Sequence, residues 1–490
     1  MPIDIAIINV PYTLTRAPHS APALLKGSLV AAGFTCTTLD FNIRFVNQFS
    51  EHADFPTFER YFLENTISPN KKEIIQEAIG LWVDEILLLN PTYIGISVFT
   101  YQCRTATRIF CEIIRSKNPN IQIVLGGQGI SQGGINGINA FPLKLQEEGL
   151  IDYFIKSEGE VSLIELLKGN KDHIGINSDT FKQVDNIDQL EYPNYDDYDF
   201  SSYESKYLII TGSRGCVRQC SFCDIHQHWD YRSRQGKSIV KEMIALSEKY
   251  KIYDFIFSDS LVNGNTKEFK VFLKELSEHN AQAKYKISWK GQYIIKPYTV
   301  DNEEHWNLMS QSNCQEIWIG VESGSEKVRR EMNKSFTNDD LYHTIDNLVK
   351  YKISCKLLMF VGYPTESEKD FEDTLNLIRK YKHLAGNIVK TISLADTVSI
   401  LPGTPLSDTA SQNNIIVDEK YENNWLNLNY PELTLAERIR RTEIAKKLAA
   451  ELGYTSQEND FHNHLDYLRD RIDIFNQRLK IKQIIRLKEI

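Results

Sequence analysis

Hydrophobic positions along the chain fall into two successive alternations of short apolar runs and amphipathic helical patterns. In the first, the runs Ile5–Val10, Thr35–Asp40, Tyr93–Phe99, Ile121–Leu125 and Asp152–Ile155 read as strands. Helical patterns lie between them near Ala21–Ala32, Lys72–Leu89, Tyr101–Lys117 and Glu160–Leu167. Strands alternating with helices predict βαβ units and a parallel sheet buried on both faces. Five strands suit a doubly wound, flavodoxin-like sheet, in which ligands bind beyond the carboxyl ends of strands at the switch point. The loops expected there are Pro11–Ala21, Thr100 with its neighbours, and Gly126–Gly129.

The second alternation predicts strands at Tyr207–Thr211, Asp254–Phe257, Tyr285–Trp289, Glu316–Gly320, Lys356–Phe360 and Thr391–Ile400. Helices are predicted at Ser238–Tyr250, Thr266–His279, Asn302–Met309, Asn338–Tyr351 and Glu368–Tyr381. Six βα repeats predict a partial (β/α)6 barrel, an architecture whose reactive groups sit in loops after the carboxyl ends of strands. Between the two alternations, periodicity fades in the tyrosine-rich, acidic stretch EYPNYDDYDF, read as a linker or a wrapping segment. After about Ser411 the pattern is mostly helical and polar. It ends with Arg478, Lys480, Lys482, Arg486 and Lys488 among Ile and Leu, as in a helix packed on its own domain with its charges in water. The expected organisation is 1–175 doubly wound, 176–205 linker, 206–410 partial barrel and 411–490 helical segment.

A chain of 490 residues exceeds what one core supports, so more than one domain is expected. Apolar residues make up 42% and charged residues 25%, a balance that excludes general disorder. A net charge of -9 argues against a general nucleic-acid binder, and no nucleic-acid partner is expected. No apolar run is long enough to span a membrane. The opening MPIDIAIINVPY reads as a strand where a signal peptide would stand, so a cytoplasmic location is expected. Of the eight cysteines, Cys36, Cys103, Cys111, Cys314 and Cys355 are scattered and read as small core hydrophobes. The other three are clustered, which in a reducing compartment points to metal or cluster binding.

The cluster reads TGSRGCVRQCSFCDI, placing Cys216, Cys220 and Cys223 in a Cys-x3-Cys-x2-Cys loop after the first strand of the second series. Thiolates are soft ligands suited to iron–sulfur clusters and zinc. A closed zinc or electron-transfer site normally takes four protein ligands, and no fourth cysteine is near. His226 and His228 are the residues that would complete a zinc site. Three ligands on a four-iron cluster leave one iron open to a small molecule. The missing fourth ligand argues against a non-enzymatic zinc module or an iron–sulfur electron carrier, the readings from outside enzymology.

With Phe222 as the aromatic of a Cys-x3-Cys-x-aromatic-Cys loop, the chain resembles the radical S-adenosylmethionine superfamily. That resemblance implies a 4Fe–4S cluster on Cys216, Cys220 and Cys223, with its open iron chelating S-adenosylmethionine. It also implies reductive cleavage to a 5′-deoxyadenosyl radical, with electrons from an external flavodoxin- or ferredoxin-type donor. RGCVRQCSFC resembles the loop of members that carry an N-terminal cobalamin-binding domain. GVESGSEKV resembles a family segment that makes Glu322 and Ser323 candidate S-adenosylmethionine contacts, beside Phe222. FSDSLVNGN offers Asp259 and Asn263 as cofactor or substrate contacts, and FVGYPTES and LPGTPL resemble backbone-shaping turns. In the first domain, VPYTLTRAPHSAPALLKGSLVAAGF, VLGGQGIS (with Gly126 and Gly127) and IKSEGEVSLIELLKG resemble the cobalamin-binding type. The Asp-x-His-x-x-Gly motif of other cobalamin proteins does not occur. Structural alternatives stand beside each assignment: helix-terminus pairing for Glu322, turn and cap roles for Asp259 and Asn263, and a tight turn for the glycines.

The activity implied is methylation of an unactivated carbon, with cobalamin as methyl carrier. Radical cyclisation or rearrangement, as in tetrapyrrole-cyclase-like relatives, is the alternative. A methylthiotransferase requires three further cluster cysteines in its first domain, and the contexts FTCTT, YQCRT and IFCEI do not form such a set. The substrate, a small molecule or peptide, is not identified by any motif.

Overall fold

The computed structural model describes residues 2–13, 15–131, 140–156, 158–225, 229–395, 397–418, 421–455, 468–469 and 471–489. The chain divides into two compact units, Met1–Ile209 and Ile210–Ile490.

In the first unit, β1 (Ile3–Asn9), β2 (Cys36–Asp40), β3 (Pro91–Ser97), β4 (Gln122–Gly126) and β5 (Tyr153–Ile155) form one sheet in the order β2-β1-β3-β4-β5. Every pairing is parallel. This is the flavodoxin-like order, and its direction reverses between β1 and β3. Ile5 and Ile7 face one helical layer while Ala6 and Ile8 join the core on the other, so β1 reads as an unbroken apolar run.

Two helices, Phe41–Phe49 and Phe55–Glu64, were not expected. Phe41, Ile43 and Phe45 alternate as a strand would, yet the Asp40 carboxylate caps the backbone N–H groups of Asn42 and Ile43 and starts a helix instead. Their rings build the aromatic core of this unit: Phe41 stacks on Trp82 at 5.5 Å, and Phe45 meets Phe62 edge-on at 5.1 Å. The tyrosine-rich acidic stretch packs on this unit. Asp197 accepts from buried Lys26 at 2.5 Å and from the Thr38 N–H at 2.7 Å, and Tyr203 donates to Asp40 at 2.8 Å.

The second unit is built on β6 (Leu208–Ile210), β9 (Asp254–Phe257), β10 (Ser288–Tyr293), β11 (Cys314–Glu322), β12 (Ser354–Met359) and β13 (Val389–Leu394), in sequential order across one sheet. Helices follow in alternation, giving the partial (β/α)6 arrangement. Two short strands, β7 (Ser213–Arg214) and β8 (Arg232–Ser233), pair antiparallel and flank the cysteine loop. Strand β10 lies three residues beyond its expected start because the Asn280 side chain bonds both the N–H and the C=O of Ile287, at 2.9 Å each, and holds the approach.

A hairpin, β14 (Ile415–Asp418) with β15 (Tyr421–Asn427), stands at the start of the segment expected to be mostly helical. Its hydrophobic pattern is broken by buried Asn424 and Asn427, whose amides bond Asp418 and the Pro364 carbonyl at 2.9 Å. After the helix Leu435–Glu451, the helix Ile472–Glu489 returns to the hairpin; its buried Phe475 packs tilted on Tyr421 at 4.7 Å, and Arg478 bonds Asp418 at 2.7 Å. The side chains of Arg486 and Lys488 lie outside the described residues. Among the described residues, no helix is long and apolar enough to cross a membrane.

Candidate functional site

The cysteine loop leaves the carboxyl end of β6. Thr211 Oγ1 meets Ser258 Oγ at 2.9 Å, so this end of β6 lies beside the carboxyl end of β9. Gly215 has φ +76°, and a Cβ there would stand 2.6 Å from the Asp230 carbonyl oxygen. Only glycine fits that crossing of loop and ribbon.

Three other segments fix the loop from outside. The Ser221 N–H donates to the Met332 carbonyl at 3.1 Å and the Ser221 carbonyl accepts from the Leu406 N–H at 2.8 Å. Ser221 Oγ meets the Tyr363 hydroxyl at 2.9 Å, and Asn333 Nδ2 donates to the Gln219 carbonyl at 2.8 Å. FVGYPTES and LPGTPL therefore act on the cysteine loop through Tyr363 and Leu406. Phe222 meets Phe360 edge-on at 5.1 Å and packs against the apolar cluster of Tyr363, Ile400, Leu406 and Trp425. This packing seats the loop.

All three cysteines are free thiols, Cys220 buried, Cys216 and Cys223 half-buried. Burial pushes each thiol up, Cys223 to about 11, while the Lys334 ammonium acts in the opposite sense on Cys216 and Cys220. Metal coordination draws such thiols into the thiolate form and releases their protons. Cys314 opens β11 and Cys355 lies in the first half of β12, at the amino ends of the parallel strands. The loop sits at the carboxyl ends. No fourth thiol of this unit is on the loop's side of the sheet. His226 and His228 lie outside the described residues. Among the described residues, no three His, Cys, Asp or Glu side chains converge on a single ion. A cubane with one thiolate per iron needs no such convergence.

Glu322 closes β11 with φ +66°, where the β11–β12 register shifts. Its carboxylate accepts from Lys334 Nζ at 2.7 Å, and the same ammonium bonds the Gly320 carbonyl at 2.9 Å and lies 5.9 Å from the centroid of Phe222. Lys334, Glu322, Phe222 and the cysteines thus form one neighbourhood. Lys334 belongs to the MNKSFT segment, and its part in the site is invisible in sequence because nothing there says which strand end it reaches.

The other candidates in this unit lie deeper. Asp259 is buried and accepts from the Gly212 N–H at 2.8 Å and the Ser213 hydroxyl at 2.7 Å. Burial pushes its carboxyl up to about 7 against those two bonds. Asn263 brackets Ile294, bonding its C=O at 2.8 Å and its N–H at 3.0 Å. Ser323 is buried against Thr374, 3.3 Å between hydroxyls, and its oxygen accepts from the Ser325 N–H at 3.1 Å. These three side chains hold the loops at the strand ends. Of the two carboxylates, that of Glu322 reaches the cysteine loop, through Lys334 against Phe222.

In the first unit, the loops at the switch point meet. Half-buried His19 lies 4.4 Å from the ring of Phe99 and 2.8 Å from Thr13 Oγ1, and loss of hydration holds the imidazole below its ordinary pKa. Phe99 and Tyr101 themselves are 47% and 56% exposed. Beside them, a Cβ on Gly127 would stand 2.6 Å from the Val98 carbonyl, and its φ of +99° also requires glycine. Gly126 has open space, with nothing nearer than the Ile155 carbonyl at 3.8 Å. Two exposed rings beside open backbone at a switch point fit a large flat ligand. Phe99 and His19 were missed because an aromatic after a strand and a histidine in a loop carry no distinguishing pattern.

Fold and site together define a two-unit α/β protein with a three-cysteine loop at the carboxyl end of a partial barrel. Residues 210–378 match the family model of the radical SAM superfamily, and the chain is an enzyme carrying that domain. It is 22% identical over 350 residues to an uncharacterized methyltransferase of Pyrococcus horikoshii, covering 67% of this chain and 71% of that one. It is 23% identical over 323 residues to the anaerobic magnesium-protoporphyrin IX monomethyl ester cyclase of Rubrivivax gelatinosus, covering 61% of this chain and 56% of the cyclase. Its fold is similar to that of the radical S-adenosylmethionine methyltransferase TsrM from Kitasatospora setae, solved with cobalamin and a 4Fe–4S cluster bound. The TM-score is 0.64 at 16% identity, covering 98% of this chain and 100% of TsrM.

Proposed function

We propose that this enzyme is a cobalamin-dependent radical S-adenosylmethionine methyltransferase acting on an unactivated carbon. The observation that carries the proposal is the set of partners that fix the loop around three free thiols, with no fourth thiol of the second unit at the same strand ends. In this reading Cys216, Cys220 and Cys223 hold a 4Fe–4S cluster and leave one iron for S-adenosylmethionine. When bound, the cluster and cobalamin supply one-electron reduction of the sulfonium and a transferable methyl group. The chain's own residues hold the geometry. Ser221, Tyr363, Met332 and Leu406 fix the loop that carries the thiols, and Lys334 holds the Glu322 carboxylate, which would accept from the amino group of the methionine moiety. Phe99 and Tyr101 provide an apolar platform for the corrin, with Gly126 leaving room for its close approach.

Anaerobic reconstitution with iron, sulfide and cobalamin, followed by S-adenosylmethionine and a low-potential reductant, tests this reading. Release of 5′-deoxyadenosine together with retained corrin supports it; a loaded protein that leaves S-adenosylmethionine intact overturns it. The likeness to the cyclase favours radical cyclisation as a second reading. A product heavier by one methylene unit per turnover separates methylation from it.

A further inference from the structure

Next to the cysteine loop lies a charged pair. Lys334 and Glu322 have side chains only 14% and 13% exposed, and the pair is closed at 2.7 Å. In such a poorly hydrated setting charge acts over longer distance than at a free surface. The ammonium lies 5.9 Å from the centroid of Phe222, between Cys220 and Cys223 in sequence, and bonds the Gly320 carbonyl at 2.9 Å as well as the Glu322 carboxylate. Arg218, a further cation of the loop itself, is held by a 2.5 Å bond to Ser335, one residue beyond Lys334.

We infer that the Lys334–Glu322 pair, closed against the ring of Phe222 within the loop, sets the reduction potential of the cluster there, the ammonium raising it and the carboxylate acting as counterweight. The inference rests on the cluster reading above and concerns the cluster before any S-adenosylmethionine binds. Reduction adds one electron, from an external low-potential one-electron reductant, to a cluster already carrying three thiolate charges. A nearby cation stabilises that added negative charge and raises the potential, and a nearby anion lowers it. Lys334 and Glu322 are thus positioning residues for the electron, and no bond to either changes in the step.

The test is a redox titration of reconstituted protein, followed by electron paramagnetic resonance without S-adenosylmethionine, on wild type, Lys334→Met, Glu322→Gln and Lys334→Arg. Iron and sulfide analysis first establishes loading. Lys334→Met is expected to lower the midpoint and Glu322→Gln to raise it, each by about tenfold in the reduced-to-oxidised ratio, or about 59 mV for a one-electron couple. Lys334→Arg is expected to stay near wild type. Shifts of the same sign in Lys334→Met and Glu322→Gln, or none in either, overturn the inference while leaving the cluster reading intact. If Lys334→Met does not load, an unchanged or lowered midpoint in Glu322→Gln overturns it alone. Absence of cluster from wild type removes the cluster reading itself, and the inference with it.

Discussion

Ser221 and Tyr363 share a 2.9 Å hydrogen bond across 142 positions of sequence, joining the cysteine loop to the turn after β12. Tyr363 is buried, at 4% exposure, so its hydroxyl has few other partners to choose from. Removing it in Tyr363→Phe keeps the ring in the apolar cluster and deletes the tether, together with a longer bond to the Glu331 carbonyl at 3.4 Å. The expected cost to stability is about 0.5–1.5 kcal/mol. Faster loss of iron from the reconstituted protein is expected with it, read as iron per chain after repeated oxygen-free gel filtration. Iron retention equal to wild type would show that the tether does not hold the loop.

The five scattered cysteines give a contrast within one chain. Replacing Cys216, Cys220 or Cys223 by Ala is expected to abolish bound iron and sulfide while leaving the fold intact by circular dichroism. Cys314→Ala and Cys355→Ala remove buried sulfur atoms at the opposite strand ends. They are expected to keep the cluster and lose on the order of 1–2 kcal/mol in stability to the cavity left behind. A cluster lost from Cys314→Ala with the fold retained would count against the three-thiolate site.

How much of this was legible beforehand follows physical lines. Both parallel sheets could be read because their central strands are apolar on both faces, as at Ile5–Ile8 and Ile317–Val321, so the runs stand out against amphipathic helices. The helix Phe41–Phe49 and the hairpin Ile415–Asn427 could not, because each depends on a polar side chain finding a distant or capping partner: Asp40 in one, Asn424 and Asn427 in the other. The cysteine loop was legible because three thiols at fixed spacing make a local pattern. Lys334 was not, since its meaning comes from the 2.7 Å approach to Glu322 at another strand end. Asp259, Asn263 and Ser323 lie at the expected strand ends, yet their side chains bond backbone and hydroxyl groups of neighbouring loops. Spacing in sequence does not distinguish such a role from contact with a ligand.

A buried network on the flank of the second unit carries a pH signature. The Tyr293 hydroxyl donates to Asp301 at 2.5 Å and stands 2.9 Å from His305 Nε2. Burial, with help from Lys296 and Lys270, lowers His305 from 6.5 to about 4. Unfolded histidine therefore takes up a proton that the folded chain refuses, and its contribution to stability, full above about 6.5, is lost as pH falls toward 4. Burial raises Asp301 from 3.8 to about 6, so its contribution runs the other way: present at low pH and lost as pH rises from about 4 through 6. The two nearly offset in wild type. Between pH 4 and 6, Asp301→Asn is expected to lose stability on acidification, and His305→Asn to gain it, each by up to roughly 3 kcal/mol. Urea denaturation of the apoprotein across that range measures both slopes; equal slopes in the two variants would refute the assignment.

The first unit offers a sharper test of its ligand than sequence can. Phe99 and Tyr101 are exposed and Gly126 has open space, whereas Gly127 is wedged against the Val98 carbonyl. If a corrin rests on the two rings and approaches the Gly126 backbone, each group contributes to binding with little role in folding. Tyr101→Ala then weakens cobalamin retention by about three- to tenfold, the range expected for one aromatic contact. Phe99→Ala does so by a similar factor, with a small added stability cost because its ring also covers His19 at 4.4 Å. Gly126→Ala costs the apoprotein little, since no atom lies within van der Waals reach of the new Cβ below 3.8 Å, but it blocks close approach by the ligand. Gly127→Ala, by contrast, must disturb the fold itself through its +99° φ and the 2.6 Å clash. Equilibrium uptake of cobalamin, read from its absorbance after filtration, separates these outcomes. Unchanged uptake in Phe99→Ala, Tyr101→Ala and Gly126→Ala together would place the corrin elsewhere or remove it from this enzyme.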